Sequence, residues 1–132
     1  MIKFHYRKES SSISGTVLRP VADILLQLNN RSIEVAMYID SGADITMIPL
    51  EVGKALGLKQ SPRDEILEIK GVSGSGVPYI LKKANIILNG KRLKIRLAWA
   101  LIEEIPLLLG RMDIFPKFKI TFVEKQELIT FT

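Results

Sequence analysis

The chain of 132 residues contains no cysteine and one histidine, His5, close to its N-terminus. The first absence removes disulfides and thiolate chemistry. The second leaves no basis for Ser–His or Cys–His nucleophiles or for a multi-histidine zinc site. Acid–base chemistry is left to Asp, Glu, Lys and Tyr. No run approaches the ~20 apolar residues that span a bilayer, and Met1 to Ser14 has no apolar signal-peptide core. A soluble, cytoplasmic protein without a membrane partner is expected. No strong charge bias is present either: 19 Lys and Arg against 14 Asp and Glu leave a formal +5, a modest basic excess that favours acidic partners and is silent on fold.

Hydrophobic residues make up 47% and charged residues 25%, which excludes a disordered or collagen-like chain. The length fits a single domain, 1–132, able to bury a core without staples. Its dominant period is two. Ile33, Val35, Met37 and Ile39 alternate with Ser32, Glu34, Ala36 and Tyr38; Leu93, Ile95, Leu97 and Trp99 alternate with Arg92, Lys94, Arg96 and Ala98; Phe118, Ile120 and Phe122 alternate with Lys117, Lys119 and Thr121. Each run reads as a half-buried antiparallel strand. Asn89-Gly90 supplies the positive φ of a type I′ hairpin turn, and Asn29-Asn30 is a weaker version. Ile2 to Tyr6 reads as a strand followed by a serine-rich loop, Ser10 to Gly15. Two short helices are expected. One covers Pro49 to Leu56, with proline in the first turn and Gly57 as C-cap; the other runs from Arg111 to Phe115 and stops at Pro116. The glycine-rich stretch Gly71 to Gly76 joins two strand-like segments, Ile66 to Lys70 and Pro78 to Leu81, as a long hairpin. The fold class is therefore mainly β, a closed or nearly closed barrel with one or two short helices.

Asp40-Ser41-Gly42-Ala43-Asp44 follows a buried-type strand directly, so a carboxylate emerges from a rigid sheet into a turn where Gly42 permits close backbone approach. Alone, such a triplet is an ordinary polar turn. Its setting is more specific: Met37-Tyr38-Ile39 before it, Ile45 to Pro49 after it, the glycine-rich hairpin further on, then Leu107-Leu108-Leu109-Gly110-Arg111.

This ordered set resembles the retropepsin-like aspartic proteases, over Arg19 to Phe115. The resemblance implies a catalytic aspartate at Asp40 and supporting roles for Ser41, Gly42 and Arg111. It further implies substrate contacts from Ala43, Asp44 and the flap residues Gly71, Val72, Ser73 and Gly74. In the family the arginine beside the second glycine pairs with the aspartate that closes the first motif, here Arg111 with Asp44. The serine or threonine of the motif hydrogen-bonds across a dimer, a role the Ser41 hydroxyl keeps. The implied activity is an aspartic endopeptidase, with peptide or protein substrates and no metal or other cofactor.

The chemistry is consistent with that. Amide hydrolysis needs an activated water and a proton for the leaving nitrogen, and two carboxylates sharing one proton supply both. Asp-Ser-Gly occurs once, and Asp23, Asp64 and Asp113 lack its setting. One chain thus carries half a site, and an active enzyme needs a two-fold homodimer with both Asp40 carboxylates on the axis.

There are departures from the family pattern. Met112 follows Arg111 where the family has Asp or Asn, and Asp113 comes one place late, which leaves the anchoring of the last helix open. Residues 1–18 extend the core at the front, and 116–132 add a further hairpin behind it. The alternative reading is a catalytically silent retropepsin-fold module for dimerisation or peptide binding, against which the intact Asp-Ser-Gly-Ala speaks. Lys91, Arg92, Lys94 and Arg96 read as the solvated face of a strand. Tyr79 and Trp99 form no stacking platform beside them, so no nucleic-acid partner is expected.

Overall fold

The computed structural model describes residues 1–70 and 76–132. Its strands are β1 (Ile2–His5), β2 (Arg7–Ser11), β3 (Gly15–Arg19), β4 (Val21–Leu28), β5 (Arg31–Ile39) and β6 (Thr46–Ile48). After the helix α1 (Leu50–Leu56) come β7 (Leu67–Lys70), β8 (Gly76–Leu88), β9 (Lys91–Ala100), β10 (Leu108–Leu109), β11 (Ile120–Val123) and β12 (Leu128–Phe131).

The period-two runs become the barrel. Its strands pair in the order β4-β5-β10-β6-β9-β8, and β4 pairs with β8 through Leu25↔Ile87, Leu26↔Ile86 and Gln27↔Asn85, which closes the six strands on themselves. Alternation puts one face of each strand inside: Ile24 and Leu26, Met37 and Ile39, Ile86 and Leu88, Ile95 and Leu97 are buried. The faces that carry Lys91, Arg92, Lys94 and Arg96 are exposed, as read from the sequence. At the β8–β9 hairpin Asn89 has φ 44° and Gly90 φ 88°, the two positive angles a type I′ turn requires.

β7 lies outside the ring and pairs with the first part of β8, from Leu67↔Tyr79 to Lys70↔Gly76. This is the stem of the expected glycine-rich hairpin. The flap residues Gly71, Val72, Ser73 and Gly74 lie outside the described residues.

α1 forms where expected, with one difference. Pro49 is its N-cap, in an extended conformation, rather than its first helical residue. Gly57 at φ 95° ends it, with its N–H on the Lys54 carbonyl. The helix lies on the single tryptophan, which is 1% exposed and donates from Nε1 to the Leu50 carbonyl at 3.1 Å.

Three expectations are corrected. Arg111 to Phe115 is not a helix: Asp113 takes φ 66°, which interrupts helical winding, and only a 3-10 turn at Phe115–Lys117 remains. The alternating run at Lys117 to Phe122 starts its strand only at Ile120, because Phe118 still closes that turn on the Phe115 carbonyl. The serine-rich stretch is the tip of a β2–β3 hairpin, paired from Arg7↔Arg19 to Ser11↔Gly15, and Gly15 at φ 82° makes the return. The remaining strands form a three-stranded sheet, β1-β12-β11, that joins the two ends of the chain. Phe131 anchors it to the core, edge-on to Phe4 at 5.7 Å and to Phe118 at 5.3 Å between ring centroids.

Candidate active site

β5 delivers Asp40 at its end, and β10 fixes its height. β10 runs parallel to β5 (Leu108↔Tyr38, Leu109↔Ile39) and antiparallel to β6 (Leu108↔Met47), so it wedges between the strands that enter and leave the Asp40 turn. The Asp40 N–H donates to the Leu109 carbonyl at 3.0 Å. Within the turn, the Gly42 N–H donates to Asp40 Oδ1 at 2.8 Å and the Ala43 N–H to the Asp40 carbonyl at 3.2 Å. This Asx-type closure holds one carboxylate oxygen and leaves the other available. A Cβ on residue 42 would lie 3.2 Å from that held oxygen, so the turn is at its tightest where the motif has glycine.

The second loop, Leu109 to Met112, crosses under the first. The Arg111 N–H donates to the Ala43 carbonyl and the Met112 N–H to the Asp44 carbonyl, both at 2.9 Å. The Gly110 N–H donates to the hydroxyl of buried Thr46 at 3.0 Å. Any side chain at 110 would run into the backbone of Ile45, so only glycine lets the loops cross there. Sequence reasoning did not single out Thr46; a hydroxyl in the otherwise apolar run Ile45 to Ile48 was the available signal.

The structure therefore brings Asp40, Ser41, Gly42, Ala43, Asp44 and Arg111 together, but not by the expected ion pair. Asp44 is exposed and has no salt-bridge partner among the described residues. The Arg111 guanidinium instead donates from Nη1 to the Ser41 carbonyl at 3.2 Å and lies over the Phe115 ring, 5.3 Å from its centroid. The physical reason is that backbone hydrogen bonds already tie the two loops at Ala43 and Asp44, and the following turn carries Phe115 under the guanidinium.

The displaced Asp113 has its own partner. Its carboxylate accepts from the Arg96 backbone N–H at 2.8 Å and from Nε and Nη2 at 2.9 Å each, which fastens the loop after Gly110 to β9. These charge-assisted hydrogen bonds hold the Asp113 carboxyl down at about 2.

Two grooves flank the turn. One of ≈ 1060 Å³ runs past Ser41, Asp44 and Arg111 towards Phe118 and Phe122. The other, of ≈ 540 Å³, contains Asp40 and is bordered by Glu9, Arg19, Tyr38, Pro106 and Leu108, none of which the sequence reading placed at the site.

No protein-family model and no curated protein matches this sequence. Solved structures do. The EIAV protease complexed with the inhibitor HBY-793 superposes with a TM-score of 0.58 at 26% identity, over 75% of this chain and 86% of that one. A retropepsin-like aspartic protease from Rickettsia conorii superposes with a TM-score of 0.64 at 19% identity, over 96% of this chain and 99% of that one. With its closed barrel, crossed loops and ordered motifs, this chain has the retropepsin-like fold and is similar in structure to the retropepsin-like aspartic proteases.

Proposed function

We propose that this chain is an aspartic endopeptidase that works as a homodimer, with Asp40 of each subunit contributing one carboxylate to a shared dyad. The observation that carries the reading is the Asp40 turn. A lone Asp-Ser-Gly sits at the end of a barrel strand, one carboxylate oxygen held by the Gly42 N–H, braced from below by the Gly110 loop and open to a groove. The fold it shares with two aspartic proteases supports the same reading.

In this mechanism the ionised carboxylate takes a proton from water as the water oxygen attacks the peptide carbonyl. The protonated partner supplies the proton that the departing nitrogen needs. Ser41, Gly42 and Arg111 keep the turn in shape, Arg111 through the Ser41 carbonyl. Ala43, Asp44 and the flap residues Gly71, Val72, Ser73 and Gly74 contact an extended peptide. The protease unit is the whole of 1–132, with 1–18 and 116–132 as additions to the barrel core. It needs no metal or cofactor and acts on peptides or proteins in the cytoplasm; no helix among the described residues is long and apolar enough to cross a membrane.

The test is a peptide-library digest with wild type and Asp40→Asn. The variant loses cleavage altogether while its circular dichroism and melting temperature stay at the wild-type values. Activity within a few-fold of wild type would remove Asp40 from the mechanism.

A further inference from the structure

The outer face of the β8–β9 hairpin gathers the positive charge of the chain. The ladder sets Lys83 opposite Arg96, Asn85 opposite Lys94 and Ile87 opposite Arg92, and all four of these cations are exposed. Lys91 joins them at the turn, and Lys117 is near enough to help hold the Asp113 carboxyl down. Asp113 is the carboxylate of this group, and it is taken by Arg96. Lys83, Lys91, Arg92, Lys94 and Lys117 have no carboxylate partner among the described residues. Six cations and one carboxylate leave the group with a formal +5, equal to the formal net charge of the whole chain. The basic excess is thus a property of one face, and the rest of the molecule sums to zero. The face is also concave: a groove of ≈ 430 Å³ opens between Lys83, Lys94, Arg96 and Asp113.

We propose that this face docks an extended acidic segment of a partner protein, one with Asp or Glu at every second position. Like charges held together without counter-charges are worth their mutual repulsion only if an anion relieves it. The spacing selects the anion. Alternate residues of a strand lie about 6.6–6.8 Å apart on one face, and an extended peptide presents its alternate side chains at the same repeat. Two acidic side chains in that register meet Arg92 and Lys94. At the third position Arg96 is occupied by Asp113, and Lys83 across the ladder supplies the free charge. A nucleic acid fits less well. Phe118, the ring beside these cations, is covered by the Lys91 ammonium at 4.7 Å from its centroid, so it offers no open face to a base. The proposal stands apart from the protease reading, because it concerns binding on a face that does not include Asp40.

The experiment measures binding of two labelled peptides of equal composition by fluorescence anisotropy, one with Glu and Ser alternating, the other with the same residues in two blocks. Oligothymidylate of the same charge is the third probe. Wild type binds the alternating peptide more tightly than the blocked one by roughly threefold, and binding is lost at about 0.5 M salt. Lys83→Gln and Lys94→Gln each weaken it by roughly two- to fivefold, the range for exposed ion pairs. Lys8→Gln, which removes the same charge from the β2–β3 hairpin, leaves it unchanged. Asp113→Asn frees Arg96 and tightens binding by a similar factor, an opposite sign that a merely structural role for the pair would not produce. Melting temperatures of the variants confirm that each is folded. No binding of either peptide, equal binding of the two, an equal loss in Lys8→Gln, or tighter binding of the oligothymidylate overturns the proposal and leaves the protease reading intact.

Discussion

Gly110→Ala tests whether the crossed loops build the site. Gly110 is buried, and its φ lies outside the left-handed region, so alanine meets no conformational penalty there; the effect is steric. The added methyl would overlap the Ile45 carbonyl group and lie 2.7 Å from the Thr46 nitrogen. These are backbone atoms in a turn already fixed by hydrogen bonds from Gly110, Arg111 and Met112, so no side chain can swing away. Overpacking of a well-packed site costs about 1–3 kcal/mol, and backbone on both sides puts this case at about 3. For a domain of this size that lowers the melting temperature by about 10 °C. Gly90→Ala is the comparison. At Gly90 a methyl has open space, and the cost is that of φ 88°, about 1 kcal/mol. Urea denaturation of both variants, with peptide cleavage measured on the folded fraction, gives the answer. Gly110→Ala should be the less stable by about 2 kcal/mol. It should also lose most activity per folded molecule, because the Leu109 carbonyl that holds the Asp40 N–H moves with the loop. Equal stability of the two variants, or full activity in folded Gly110→Ala, would refute the reasoning.

The Asp113–Arg96 pair makes a pH prediction. The folded carboxyl is depressed from 3.8 to about 2, so its stabilisation is complete above the unfolded value and is lost as pH falls through about 2. With the two side chains 47% and 24% exposed, solvent screening reduces its worth to about 1 kcal/mol. Asp113→Asn should remove that part of the acid destabilisation between pH 4 and 2, read from melting temperatures across the range. Arg111→Ala gives up one hydrogen bond to the Ser41 carbonyl and contact with Phe115, so its stability loss should be about 1 kcal/mol. A loss of the size expected for breaking a buried ion pair, about 3–5 kcal/mol, would contradict its observed partners. If two Asp40 carboxylates make one site, excess Asp40→Asn chains should depress wild-type activity beyond simple dilution. Absence of that effect, with a monomer in sedimentation under assay conditions, would exclude the shared dyad.

The barrel was legible because it is written locally. Alternation at Ile33 to Ile39 and Leu93 to Trp99 names strands, Asn89-Gly90 names a turn, and Gly57 ends a helix. The Asp40 turn and the Gly110 loop were legible as motifs, and the structure brings them together. What failed depended on contacts distant in the chain. The reach of Asp113 back to Arg96 decides that no helix follows Arg111, and nothing in the Arg111–Phe115 segment encodes it. The backbone ties at Ala43 and Asp44 made the expected Asp44–Arg111 ion pair unnecessary, and backbone partners are invisible in side-chain identity. The serine-rich stretch hid a hairpin because Arg7–Ser11 is polar throughout and the two apolar residues of Gly15–Arg19, Val17 and Leu18, are adjacent, so neither strand alternates. That hairpin supplies Glu9 and Arg19 to the groove, so the part of the candidate site it builds was missed for the same reason.

The terminal sheet has a mechanical consequence. Ile2 faces Phe131 and His5 faces Leu128, so the two ends of the described chain leave the sheet side by side. A force pulling those ends apart does not shear β1 along β12, which would strain all their cross-strand bonds together. It opens the ladder as a zip, from Ile2–Phe131 inward, one pair after another. The Tyr6 N–H to Glu127 carbonyl bond is the last to part, and after it tension passes to the β2–β3 hairpin. The closed barrel is spared until then. Pulled by its ends, the molecule is thus a tough ring with a soft clasp, and the hairpin beside Asp40 feels the pull before the ring does.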